Sequence, residues 1–112
     1  MNEDQQKAQT ILNQLGGSKF KVMTGVKNFL YAGVTETNKA FWLRMDIPRN
    51  AGGVNRLKVT LNANDTYTMH FYKQRIKNYT EVIITKETKY ENIYFDKMKE
   101  LFTEVTGMYT TL

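Results

Sequence analysis

The chain has 112 residues, a formal charge of +5, one histidine, one proline and no cysteine. That length holds one domain with a core of its own, and the lack of thiols excludes disulfides, thiolate nucleophiles and cysteine-held metals. A hydrophobic content of 41% with 24% charged residues fits a folded domain rather than a disordered chain.

The charge is unevenly spread. Residues 18–89 carry thirteen bases against five acids, while the segments on either side are net acidic. A cationic field therefore sits on the middle of the chain, suited to phosphate or to an acidic protein surface. No apolar run of secretory or membrane length follows Met1-Asn2-Glu3-Asp4, which sets the expectation of a cytoplasmic protein with no membrane span.

Ala8, Ile11, Leu12 and Leu15 recur at helical spacing, and Asn2 with Gln5 has the form of a capping box. These predict a helix over 3–15, closed by Gly16-Gly17. Lys19-Phe20-Lys21-Val22-Met23 alternates, which predicts a strand with Phe20 and Val22 inward. Thr24-Gly25 breaks it before a second apolar run, Val26 to Tyr31. After a loop over 32–38, residues 39–45 predict a strand with Phe41, Leu43 and Met45 on one face and Trp42 and Arg44 on the other. Pro48 ends it and opens an irregular stretch over 46–55, where Gly52-Gly53 lies between Arg49 and Arg56.

The clearest hairpin follows. Leu57, Val59 and Leu61 alternate with Arg56, Lys58 and Thr60, and Met69 and Phe71 alternate with Thr68, His70 and Tyr72; Asn64-Asp65 supplies the reversal. Residues 76–79 then turn the chain into a last strand over 80–86, whose consecutive Val82, Ile83 and Ile84 predict burial on both faces or an edge beneath a helix. Thr88 with Glu91 reads as a second capping box, opening a helix with an apolar stripe of Ile93, Met98, Leu101, Phe102 and Val105 that stops at Gly107. Tyr109 and Leu112 are expected to tuck back against the sheet.

The expectation is one α+β domain spanning 1–112: a four- to five-stranded antiparallel sheet with N- and C-terminal helices packed on one face. Its expected core includes Leu12, Phe20, Val22, Phe41, Leu43, Leu57, Val59, Met69, Phe71, Ile84, Leu101 and Phe102. The other face is left for solvent, a partner or a second copy.

Leu15-Gly16-Gly17-Ser18-Lys19-Phe20, Met23-Thr24-Gly25-Val26-Lys27-Asn28-Phe29, Asp65-Thr66-Tyr67 with Met69 and Phe71, Asn92-Ile93-Tyr94, Thr106-Gly107 and Tyr109 to Leu112 form a pattern across most of the chain. It resembles a group of small uncharacterised proteins of bacteriophages, prophages and other mobile elements; Val26 stands where that pattern has Ala. The resemblance brings no catalytic residues. It implies an accessory protein of a mobile element, acting by binding or by modulating a host.

The residues offer little chemistry. One histidine without cysteine leaves no zinc ligand pair, and the acids are too scattered for a calcium loop, so neither metal nor cofactor is expected. Asp96, Glu100 and Glu104 interleave with Lys97 and Lys99 as a solvated helix face. His70 is the one candidate general base. Catalysis would also need an orienting carboxylate and a nucleophile, and neither can be placed from sequence, so His70 reads as a surface residue. Gly52-Gly53 between two arginines has the makings of a phosphate nest but lacks any nucleotide-binding pattern, and a hairpin connection is the plainer reading.

The outward set is more informative: Lys19, Lys21, Trp42, Arg44, Arg56, Lys58, His70 and Tyr72. Cations neutralise phosphates and flat rings stack on bases, a combination by which open sheets hold single strands. Trp42 and Tyr72 are equally suited to anchor a protein interface, including a homodimer. The sequence reading is thus a non-catalytic accessory protein that occupies a host protein surface. Single-stranded nucleic-acid binding is the alternative, and a small hydrolytic enzyme comes third.

Overall fold

The computed structural model describes residues 2–110. Helix α1 (Glu3–Leu15) is followed by α2 (Gly17–Thr24), and then by strands β1 (Lys27–Ala32), β2 (Trp42–Asp46), β3 (Arg56–Leu61), β4 (Tyr67–Lys77) and β5 (Glu81–Ile93). A 3-10 turn (Phe95–Lys97) leads into α3 (Met98–Thr106). The strands form one antiparallel sheet in the order β1-β2-β3-β4-β5. Leu43, Met45, Leu57, Val59, Met69 and Phe71 project from one face at 0% exposure into a core shared with Ile11, Leu15, Phe20, Met98 and Phe102 of the helices.

The capping box at Asn2 forms as expected: Gln5 N–H donates to Asn2 Oδ1 at 2.8 Å and Asn2 N–H to Gln5 Oε1 at 3.0 Å. The segment read as a first strand is instead α2. Gly16 at φ 126° and Gly17 at φ 62° turn the chain without ending helical structure. Phe20 and Thr24, four apart, are buried, while Val22 is 83% exposed. The apparent alternation of Phe20 and Val22 was therefore one helical position inside and one outside.

The helices α2 and α3 close in the same way. Thr24 Oγ1 donates to Phe20 O at 2.6 Å and Thr106 Oγ1 to Phe102 O at 2.7 Å, and left-handed Gly25 and Gly107 follow as caps. The phenylalanines that begin these two Phe-x-x-x-Thr-Gly turns meet edge to face, 5.0 Å between ring centres.

A second departure is at the C-terminal side. Residues read as the start of a helix, Thr88 to Ile93, continue β5, with Tyr90 opposite Met69 and Ile93 opposite Tyr67. Without them the near half of β4 would be an unpaired edge, so ladder formation outweighs the local capping signal. Bulges absorb the mismatch where the pairing shifts, with Lys86 at φ 51° and Asn92 at φ 56°. Val82 and Ile84 are 57% and 49% exposed rather than buried, because β4 and β5 run on past the helices as a free-standing arm. Tyr109 is 71% exposed while Thr110 is buried, so Tyr109 does not tuck in; Leu112 lies outside the described residues.

The 46–55 connection is fastened rather than loose. Asn50 Nδ2 bonds Pro48 O and Val54 O, and Ala51 N–H donates to Thr106 O at 3.1 Å. Gly52 passes so close to α3 that a Cβ there would run into Val105 O. Gly52 thus lies at the carbonyl end of α3, while Gly53 lies against the Lys86 side chain.

Candidate functional site

On the helix-free face the ladder registers align side chains into rows. In an antiparallel sheet directly opposed residues share a face, with strands about 4.8 Å apart. Leu30, Arg44, Lys58, His70 and Lys89 oppose one another in turn across all five strands. One step along lie Ala32, Trp42, Thr60 and Thr68; on the other side lie Lys27, Asp46, Arg56 and Tyr72. The central row sets four basic residues side by side on β2, β3, β4 and β5. Like charges directly opposed destabilise a sheet.

The two flanks of that row are pinned differently. Asp46 forms an ion pair with Arg56, Nε to Oδ1 at 3.1 Å, and accepts from Asn28 Nδ2 at 2.8 Å, which neutralises Arg56 and ties β1 to β3 across β2. Asn28 reaches it from a left-handed position, φ 57°, in the irregular part of the β1–β2 pairing. On the Trp42 side, Lys58 Nζ lies 5.0 Å from the indole centre. The flat surface expected to receive a base is thus shared with the neighbouring ammonium.

His70 Nε2 lies 2.7 Å from Glu87 Oε1. No hydrogen-bond partner meets this buried nitrogen, so the approach is a close polar contact whose geometry falls short of an aligned hydrogen bond. The carboxylate that sequence could not place is therefore present. The ring's other neighbours are Lys58 and Lys89, opposite it on the adjoining strands, and Tyr72, whose ring centre is 4.8 Å away. None of these is an activated nucleophile.

Six of the eight expected site residues, Trp42, Arg44, Arg56, Lys58, His70 and Tyr72, share this face. Lys19 and Lys21 do not, because their segment is helical. Lys21 instead reaches over Phe29, 5.3 Å from its centre, on the helix side, where Ala8, Leu12, Phe29 and Tyr31 line a hollow of about 560 Å³. Tyr72 faces outward as expected but is only 6% exposed, with the His70 ring against it. It is unavailable as a stacking platform or an interface anchor. The sequence reading misses Lys89 because it places a helix start there, and Glu87 because it falls between that helix and the last strand. The signal is the alternation of Glu87 and Lys89 with Thr88 and Tyr90, which also reads as strand.

Among the described residues no carboxylate lies within ion-pair distance of Arg44, Lys58 or Lys89. Comparison with known proteins found no family model matching this chain, and no match among curated proteins or solved structures.

Proposed function

We propose that the chain is a non-catalytic binding protein whose helix-free sheet face holds an anionic chain, single-stranded nucleic acid, chiefly through its phosphates. The observation that carries this reading is the row Arg44, Lys58, His70 and Lys89, three cations and a histidine opposed on successive strands with one acid, Glu87, at its edge. Phosphates bound along the row would relieve the repulsion that the row imposes on the free sheet. A host-protein surface, the role the mobile-element resemblance implies, is the second reading. The burial of Tyr72 and the lysine over Trp42 leave this face short of the exposed aromatic anchors such an interface favours.

Titration of a labelled oligothymidylate at several salt concentrations tests the proposal. Log affinity should fall linearly with log salt, and Lys58→Ala, Arg44→Ala and Lys89→Ala should each flatten the slope by ~0.7, the contribution of one phosphate contact on a single strand. Binding that ignores salt, or slopes that none of the three changes, would remove nucleic acid from this face. A protein partner would instead lose most of its affinity in Trp42→Ala.

A further inference from the structure

Beyond Tyr72 and before Lys86, β4 and β5 form an arm whose two faces differ. Opposed pairs Gln74 with Ile84 and Ile76 with Val82 continue the helix-free face, while Lys73 with Thr85, Arg75 with Ile83 and Lys77 with Glu81 lie on the other. Ile76, Val82 and Ile84 are 65%, 57% and 49% exposed, three aliphatic side chains adjoining one another in water. β5 is also the last strand of the sheet, and among the described residues nothing pairs with its outer edge. From Glu81 to Thr85 that edge has no proline and no bulge, the first left-handed residue being Lys86. Such an edge is a template for another strand.

The sequence of the edge selects what fits it. Two copies of one strand paired antiparallel about a two-fold axis normal to the sheet must oppose residues of the same facing, so the axis passes through a residue. With the axis at Ile83, Val82 opposes Ile84 of the second copy and the reverse pair repeats it. Ile76, Val82 and the second copy's Ile84 then form one apolar row, mirrored by its equivalent. On the opposite face Glu81 comes beside Thr85 of the second copy, between Lys77 of its own hairpin and Lys73 of the other. Moving the axis to Ile84 sets Glu81 against Glu87, and moving it to Val82 sets Ile83 against Glu81 and Ile84 against Thr80. Only the register on Ile83 matches both apolar contacts and charge.

We propose that a second copy of this chain pairs with the outer edge of β5 over Glu81–Thr85, antiparallel and centred on Ile83, joining the two five-stranded sheets into one. The two helix-free faces then lie on the same side of the joined sheet. The pairing does not rest on what that face binds.

The absence of cysteine makes the register directly measurable. Under mild oxidation Ile83→Cys should form a disulfide dimer, since directly opposed strand positions have a Cα separation that a disulfide can span. Glu81→Cys and Thr85→Cys should each remain uncrosslinked alone and link to one another when mixed. Sedimentation of the unmodified chain should give twice the 13.1 kDa monomer mass, returning to the monomer in Ile84→Lys but not in Leu30→Lys, a control at an exposed position on the opposite edge strand. Circular dichroism unchanged from the parent confirms that the variants fold. A monomer at every concentration with no Ile83→Cys dimer would overturn the proposal. So would equal crosslinking at all three positions, or an association that survives Ile84→Lys.

Discussion

Phe102 is the side chain at which α2, α3 and the sheet meet. At 0% exposure it meets Phe20 of α2 edge to face at 5.0 Å and Phe71 of β4 at 6.2 Å. Phe102→Ala removes a ring that no neighbouring element can replace and should cost about 3–5 kcal/mol. A chain of 112 residues has a total stability of roughly 6–17 kcal/mol, so the variant keeps its fold with much of its margin gone. Taking a urea m-value of about 1.5 kcal/mol/M, the midpoint moves down by about 2–3 M. The single tryptophan, Trp42 in β2, reports the transition by fluorescence. Combining Phe102→Ala with Phe20→Ala should show a coupling of about 0.5–1.5 kcal/mol from the ring pair. Phe95→Ala, 60% exposed, is the control. A midpoint for Phe102→Ala that matches the parent's, or a loss no larger than the control's, would refute the packing argument.

Two further outcomes follow from particular contacts. Burial, reinforced by the nearby Asp65 carboxylate and opposed by Gln14, pushes the Tyr67 phenol above its ordinary value of 10.0. The folded chain therefore holds this proton where the unfolded chain has released it, so the stabilisation is complete below pH ~10 and is lost as pH rises beyond it. Urea midpoints measured across that range should fall less steeply in Tyr67→Phe than in the parent, and parallel slopes would contradict the assignment. Gly52→Ala drives a methyl into Val105 O and should cost about 1–3 kcal/mol by forcing the 46–55 connection off α3. An unchanged denaturation midpoint would mean that the connection yields freely.

What could be read from the sequence was whatever a single period or cap decides. The bounds of β3, the facing of Phe41, Leu43 and Met45, the box at Asn2 and the stop at Gly107 each follow from a few neighbouring residues. What could not be read depended on partners far along the chain. Lys19 to Met23 satisfies a strand pattern and a helix pattern equally over five residues, and the choice is made by Phe20 meeting Phe102. Thr88 to Ile93 carries a helix-start signal that the open edge of β4 overrides. The outward set was correct for the strands, but half-burial on a face without helices comes from side chains covering one another, as His70 covers Tyr72, and no periodicity encodes that.

The residues on which the sequence reading based its resemblance have a physical meaning once the backbone is known. Gly16, Gly17, Gly25, Asn28, Asp65, Asn92 and Gly107 are among them, and all have positive φ. Glycine adopts that region without strain, and Asn and Asp tolerate it better than other side chains. Thr24 and Thr106, also in the pattern, hold the ends of α2 and α3 through their hydroxyls. Phe20, Met69 and Phe71 supply core, all at 0% exposure. None of Trp42, Arg44, Lys58, His70 or Lys89 is in the pattern. The residues of the pattern therefore describe the requirements of a backbone path with several left-handed corners rather than those of a ligand. The basic row and the apolar arm are written in other residues, which is why each needs its own experiment.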